Sequence, residues 1–533
     1  MAPENNKLSS AAPGATLVGE RRVRPPSAQA PADSASASAL RTDLYQLTMA
    51  QGYFQAGLHE RRACFTVSFR TNPFDGGFAV AAGLGPVLDY LRDWRFSAPE
   101  LDYLAGLPSP GGTPLFQPEF IEHLRTLRLT VDIAALPEGE ICFAQEPLLR
   151  ITGPIEQCQL LETPLLNLLN FSTLIATKAA RCYLAAEGAP LLEFGLRRAQ
   201  GPDGALMASR AAYIGGCSAT SNLEAGLRFG IPAAGTHAHS WVMAFPDELA
   251  AFRAYAQSSP DNVVLLVDTY DTLQGVRNAI IVGRELRERG QLLRGIRIDS
   301  GDLAWRSKQA RALLDEAGFA DTKIYCSNEL DEYTIASLKE QGAPIDVWAS
   351  GTRLVTGDPQ PALGGVYKLA AFCDEDGAWQ PTLKLSDQST KTTIPGLQGL
   401  RRYYRADGGL DGDVVYDTQQ PPCADAPVTM FDPADMTRSK TFEPGAQYRE
   451  LLQTVLVDGV PCEAVASQTG DGAGQSLSAL RERALAGLAS LDESQKRFLR
   501  PHSYPVGLEA NLARTRLHLI ARARGTDESV LFE

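Results

Sequence analysis

Six short segments of this chain hold most of the side chains suited to chemistry. They read Phe194-Gly195-Leu196-Arg197-Arg198, Gly235-Thr236-His237-Ala238-His239-Ser240, Asp268-Thr269-Tyr270-Asp271, Arg297-Ile298-Asp299-Ser300-Gly301-Asp302, Ser327-Asn328 and Ser350-Gly351-Thr352-Arg353. Each ends or follows a short apolar run. An arginine in that position suits a two-pronged hold on carboxylate or phosphate. Arg297 lies inside an apolar run; Arg197 and Arg198 read equally well as solvated. Backbone N–H groups at Gly215-Gly216 and Gly351-Thr352 can cradle phosphate, although such glycines also make ordinary turns. Asp268 and Asp299 are candidate magnesium ligands, acting through water or substrate hydroxyls. Asp302 reads as a helix N-terminal acid. Capping explains one such cluster; it does not explain six.

The chain has 6 histidines, and two of them form the pair His237/His239. An H-x-H at a strand end is half of a catalytic metal site of the amidohydrolase kind. That chemistry needs further histidines after later strands, and the later segments carry none. A metal-dependent barrel hydrolase is therefore the alternative reading from a different class. Residues i and i+2 share a face only within a strand, so one histidine can be reactive and the other structural.

Short apolar strands alternating with helical segments must position these groups. Strands are expected at Leu191–Phe194, Pro232–Thr236, Val263–Val267, Gly295–Ile298, Lys323–Cys326 and Ile345–Ala349, a rhythm of successive βα units and a parallel sheet. No G-x-G-x-x-G opens a helix after a strand, so a dinucleotide fold lacks support. An α/β barrel follows, with its site at the C-terminal strand ends. Residues 363–370 read as one more strand. Upstream, a helix is expected from Leu44 with Thr42-Asp43 as its cap, a strand over 63–70, a helix over 83–94, and strands over 129–151 broken at Pro137 and Glu138-Gly139. Beyond about 380 the pattern turns irregular, with a linker at Ser467–Ser478 and amphipathic helices at Leu477–Leu491 and Leu508–Ala523. The divisions are a disordered Ala/Pro/Ser-rich tail (1–38), an N-terminal α+β domain (39–155), the barrel (156–380) and a C-terminal region (381–533).

Composition narrows the partners. The 533 residues carry 50 basic and 63 acidic side chains, a formal charge of -13, which disfavours nucleic acid and anionic membranes. No apolar run of about 18 residues and no secretory h-region is present. Nine cysteines without a C-x-x-C pair point to reduced thiols and a cytoplasmic protein.

The blocks Leu40–Gly52, Glu193–Arg198, Gly235–Ser240, Arg297–Asp302, Gly351-Thr352, Gly364–Leu369 and Leu499–Pro505 together resemble nicotinate phosphoribosyltransferase. The resemblance runs in order from Leu40 to Arg524. It implies the type II phosphoribosyltransferase fold, an irregular α/β barrel of parallel strands with a second α+β domain formed from both chain ends. It implies a homodimer with active sites near the subunit interface. The implied reaction joins nicotinate to 5-phosphoribosyl 1-pyrophosphate, giving nicotinate mononucleotide and pyrophosphate in NAD salvage, with ATP as co-substrate and magnesium required. Carried over by position, His239 is the histidine that ATP phosphorylates, and Asp299 stands with it as catalytic. Thr236 and Arg297 contact nicotinate, Tyr45 reaches the site from the N-terminal end, and Gly351 with Thr352 cradle the phosphoribosyl phosphate. Phe194, Arg197, Asp268 and Asn328 supply stacking, pyrophosphate, magnesium or ribose contacts. The related nicotinamide enzyme carries an acid where this chain has Thr220-Ser221-Asn222, which favours nicotinate here. The quinolinate enzyme needs more basic residues around the ring. A catalytically silent barrel would have lost His239 or Arg297.

Overall fold

In a computed structural model, residues 38–386, 392–462 and 476–525 are described. The expected tail, apart from Ser38, and the expected linker, apart from its last residues, lie outside them.

The strands that position the candidate residues are β1 (Leu191–Glu193), β2 (Ala219–Thr220), β3 (Val263–Leu266), β4 (Leu293–Ile298), β5 (Lys323–Cys326) and β6 (Val347–Ser350). They pair in the order β2-β1-β6-β5-β4-β3, and every pair is parallel. Val263–Leu266 and Val347–Ser350 are buried at every residue, as strands covered on both faces must be. Helices Thr272–Glu288, Leu303–Glu316 and Glu332–Glu340 follow β3, β4 and β5. Each starts at an aspartate, Asp271, Asp302 or Asp331, whose carboxylate accepts the N–H three residues on. Asp302 is thus a cap, as its position implied.

The expected strand at Pro232–Thr236 does not form. Proline lacks a ladder donor, and Ala233, Ala234 and Gly235 have weak strand preference. The segment is a loop with a single bridge, Thr220 to Ala233, and the strand in its place is the two-residue β2. The sheet therefore curls without closing, with β2 and β3 as its edges.

The segment around 363–370 is a strand, Gly365–Cys373, but it joins a second sheet. There it pairs antiparallel with Arg62–Phe69. That seven-stranded sheet also holds Leu149–Pro154, Asp132–Ala135 and Gln453–Val457, so it draws on chain from before and after the parallel sheet. Where irregular chain was expected, a third sheet of six strands forms over 398–509. Its hairpin of Gln398–Tyr404 and Leu410–Asp417 buries Arg402, whose guanidinium forks onto Asp413 at 2.6–3.1 Å. Two arginines in a buried strand hide its alternation. Helices Leu477–Ser490 and Ala510–Arg524 match the two expected at the end of the chain.

A buried ionic knot locks helix Glu332–Glu340 to the long helix Glu162–Ala186. Glu332 is 0% exposed and meets Lys178 at 2.5 Å and Arg181 at 2.8 Å. Breaking such a pair leaves an uncompensated charge, at a cost of about 3–5 kcal/mol.

Candidate active site

Arg297, near the C-terminal end of β4, organises the rim. Its side chain is 14% exposed and all three nitrogens donate: Nε to Ser327 Oγ (2.9 Å), one terminal nitrogen to Thr236 Oγ1 (3.0 Å) and the other to Asp299 Oδ1 (2.9 Å). Its guanidinium carbon lies 5.8 Å from the ring centre of Phe194, which is half-buried at the end of β1. Three strand ends and one loop thus converge on one cation.

Asp299 is the second hub. Its Oδ1 also accepts the Ser327 hydroxyl, and its Oδ2 lies 3.8 Å from His239 Nε2. Its backbone N–H donates to Asp268 Oδ2 (2.8 Å), which also takes the Ser300 hydroxyl (2.7 Å). The other oxygen of Asp268, Oδ1, is buried without a hydrogen-bond partner among the described residues. An orphaned carboxylate oxygen of this kind fits a cation.

The two histidines differ completely. His239 opens helix His239–Met243, is 40% exposed, and its Nδ1 meets Thr269 Oγ1 at 3.1 Å. His237 is buried. Its Nε2 accepts the Leu266 N–H at 3.1 Å and its Nδ1 faces Ala238 O at 3.3 Å. Burial, with Arg297 and His239 nearby, pushes its pKa down to about 4. Both nitrogens are committed to backbone, so His237 has no lone pair for a metal, and the H-x-H hydrolase reading loses its ligand pair. Behind the rim, burial pushes the Cys326 thiol up to about 12, which makes it inert as a nucleophile.

The β5 and β6 ends make a separate corner. Asn328 and Glu329 have φ of 96° and 40°, a left-handed pair that turns the chain sharply. Thr352 Oγ1 donates to Glu329 Oε1 at 3.2 Å, and a Cβ on Gly351 would lie 3.1 Å from Phe194 O. Arg353 is held by Asp331 at 2.6 Å. Arg197 and Arg198 stand exposed on the short turn Leu196–Arg198. Tyr45 lies on the exposed side of helix Leu44–Gln55, near Glu162 and Asp43; burial first, then those two acids, raises its pKa.

The structure gathers Phe194, Thr236, His239, Asp268, Arg297 and Asp299 into one linked group. Asn328, Gly351 and Thr352 sit at the neighbouring strand ends, while Tyr45 and Arg197 stand apart from the bonds that link that group among the described residues. Two sequence-based ideas change. Gly215 is a packing glycine, because a Cβ there would lie 2.1 Å from Ala176 O. Thr220 and Asn222 are buried in a network around Glu193 and Ser209, so that stretch does not select substrate charge directly. Ser327 and Thr269 were not singled out from sequence. The available signal was their position at the same strand ends.

Three domain models of nicotinate phosphoribosyltransferase match this chain: the N-terminal domain over residues 40–170, the family model over 190–338 and the C-terminal domain over 398–516. The nicotinate phosphoribosyltransferase of Bacillus subtilis (strain 168) is 42% identical over 498 residues, covering 93% of this chain and 97% of its own. The chain belongs to the nicotinate phosphoribosyltransferase family. The human family member is 36% identical, covering 91% of this chain and 97% of its own. The crystal structure of human nicotinic acid phosphoribosyltransferase superposes with a TM-score of 0.77 at 34% identity, over 90% of this chain and 99% of that one. A nicotinate-nucleotide pyrophosphorylase from Pyrococcus furiosus shares the fold, with a TM-score of 0.63 at 20% identity over 85% of this chain and 95% of that one. The strand-end cluster therefore sits in the fold that this family uses.

Proposed function

We propose that this chain makes nicotinate mononucleotide from nicotinate and 5-phosphoribosyl 1-pyrophosphate, a step of NAD salvage, and couples the reaction to ATP hydrolysis. The observation that carries the reading is the Arg297 hub: a part-buried guanidinium tied to Thr236, Ser327 and Asp299, beside an exposed His239. The pyridine nitrogen attacks ribose C1, a C–N bond forms, and the C1–O bond to pyrophosphate breaks. Since the base is already a nucleophile, the site must orient it and stabilise charge. Each terminal nitrogen of Arg297 has a second N–H to offer the nicotinate carboxylate. Phe194 stacks the ring, Asn328 takes ribose hydroxyls, Gly351 and Thr352 take the ribose phosphate, and Arg197 takes pyrophosphate.

His239 is the phosphoryl acceptor from ATP in this reading, being the accessible imidazole of the pair. Magnesium fits Asp268, whose Oδ1 is orphaned, together with Asp299. When bound it would neutralise the leaving pyrophosphate. A homodimer fits the exposed Leu44, Tyr45 and Met49 on the first helix, an apolar face with Tyr45 in its middle. A cytoplasmic setting fits seven buried free cysteines. Among the described residues no helix is long and apolar enough to cross a membrane.

The test measures pyrophosphate release with nicotinate, nicotinamide and quinolinate, each with and without ATP. Nicotinate should be the preferred base and ATP should stimulate the reaction. Equal turnover of nicotinate and nicotinamide would overturn the proposal.

A further inference from the structure

The open edge of the parallel sheet is crossed by residues 232–238, the loop that carries Thr236 and leads into His239. On the β2 side this loop is held as a strand would be: Thr220 N–H donates to Pro232 O (3.0 Å) and Ala234 N–H donates to Thr220 O (2.9 Å). On the β3 side the connection is different. The outward N–H of Leu266, on the sheet edge, donates to the imidazole Nε2 of His237 at 3.1 Å. An edge strand's N–H normally needs a carbonyl or water. Here a side chain supplies the acceptor.

The imidazole is fixed in place. It is buried, with its ring 4.7 Å from that of Tyr255 at a steep angle and 6.1 Å from that of Phe252, both on helix Glu248–Ser258. A backbone N–H can only donate, so Nε2 must carry the lone pair. Nδ1 then carries the proton and donates to Ala238 O at 3.3 Å. His237 is thus neutral, in one tautomer, with no group left over for chemistry.

We propose that His237 is a positioning residue: its imidazole closes the barrel at β3 in place of a strand carbonyl, and so delivers Thr236 to Arg297 and His239 to Thr269 and Asp299. This rests on the roles given above to Thr236 and His239. Beyond its bridge to Thr220, the segment 232–238 has no ladder among the described residues. Its other side-chain ties on the β3–β4 side include Arg297 to Thr236 (3.0 Å), Thr269 to His239 (3.1 Å) and Asp299 to His239 (3.8 Å). Those ties involve the substrate-contacting groups themselves. Without His237 those groups would have to anchor the loop they stand on. Displacements of about 1 Å in reacting groups cost about a hundredfold in rate.

The experiment uses the full-length protein and the variants His237→Phe and His237→Gln. Phenylalanine keeps an aromatic ring against Tyr255 but cannot accept a hydrogen bond. The glutamine amide oxygen reaches the position of Nε2 and can accept. Expected for His237→Phe are amide hydrogen exchange at Leu266 faster by about tenfold or more, nicotinate KM raised by about tenfold, and loss of ATP stimulation. His237→Gln should recover all three towards the wild-type values. Unchanged Leu266 exchange in His237→Phe, unchanged KM and ATP stimulation there, or a glutamine variant as impaired as phenylalanine would each overturn the proposal. A measurement on the wild type guards against a variant that fails to fold: imidazole nitrogen NMR at about pH 7 should show a neutral ring protonated at Nδ1. A ring protonated at Nε2, or a cationic ring, would overturn it. If the wild type makes no nucleotide from nicotinate, the functional reading falls, while Leu266 exchange still decides the His237 contact.

Discussion

Replacing Arg297 with lysine keeps the charge and removes the fork. In the structure three nitrogens point in three directions, to Ser327 (2.9 Å), Thr236 (3.0 Å) and Asp299 (2.9 Å). One ammonium on a shorter, flexible stem cannot hold all three and still offer paired N–H groups to a carboxylate. Hydrogen bonds to charged groups are worth about 1.5–3 kcal/mol each. Asp299 is 27% exposed, so water recovers part of what is lost there. A net loss of about 2 kcal/mol for the nicotinate complex follows, or roughly a thirtyfold rise in KM. The assay is initial pyrophosphate release with nicotinate varied and 5-phosphoribosyl 1-pyrophosphate saturating. Nicotinamide, having no carboxylate, is the control. The expected pattern is a large rise in KM for nicotinate and a small one for nicotinamide. A nicotinate KM within about twofold of wild type would refute the contact, and an equal loss on both bases would make Arg297 a structural strut.

Other predictions test neighbouring claims. His239→Ala should abolish ATP stimulation while leaving a slow ATP-independent transfer, and ATP stimulation that survives would remove His239 from that role. Glu332→Gln leaves Lys178 and Arg181 buried without a counter-charge and should destabilise the fold by about 3–5 kcal/mol, read as a lower melting temperature. An unchanged melting temperature would refute that estimate. Burial and the facing Asp413 carboxylate hold the Glu146 pKa well above its ordinary 4.5. A raised pKa supports the fold below the ordinary value and loses that support as pH climbs through the folded value. Glu146→Gln should therefore gain stability relative to wild type as pH rises above 4.5, and a flat difference from mildly acidic to alkaline pH would contradict it.

What could be read in the sequence, and what could not, follows from range. β3, β5 and the caps Asp271, Asp302 and Asp331 are local features, set by apolar runs of fixed length and by a side chain three residues from its partner. The rim was legible because a parallel sheet sends every strand end to one side. The strand expected at Pro232–Thr236 came from the βα rhythm, which counts spacing and not ladder donors, and Pro232 has none. Gly365–Cys373 reads as a strand, yet only its long-range pairing with Arg62–Phe69 takes it out of the barrel. That one histidine of the pair could be structural was legible, but the partner of His237 was not. Its acceptor bond joins it to Leu266, 29 positions along, and nothing in either residue type announces the pair.

The charge of the rim leads to a last prediction. Four arginines, Arg197, Arg198, Arg297 and Arg353, stand at the strand ends of a chain whose net charge is -13. Two of them are spent inside the protein: Arg297 on Asp299, and Arg353 on Asp331 at 2.6 Å with Glu329 and Asp358 at 3.8 and 3.9 Å. Asp268 adds an unsatisfied carboxylate oxygen. Arg197 and Arg198 are then left to meet the pyrophosphate, and a bound cation would reduce the charge they face. Binding of 5-phosphoribosyl 1-pyrophosphate, measured by calorimetry on the full chain, should therefore weaken by about a hundredfold when magnesium is chelated, the equivalent of about 2.7 kcal/mol. Asp268→Asn should show most of that weakening with magnesium present, because it removes the unpaired carboxylate oxygen at the rim. If the metal-free wild type binds as tightly as the metal-loaded form, the cations that hold pyrophosphate lie on another surface, and Asp268 is simply the acceptor that fixes the turn at Asp299 and Ser300.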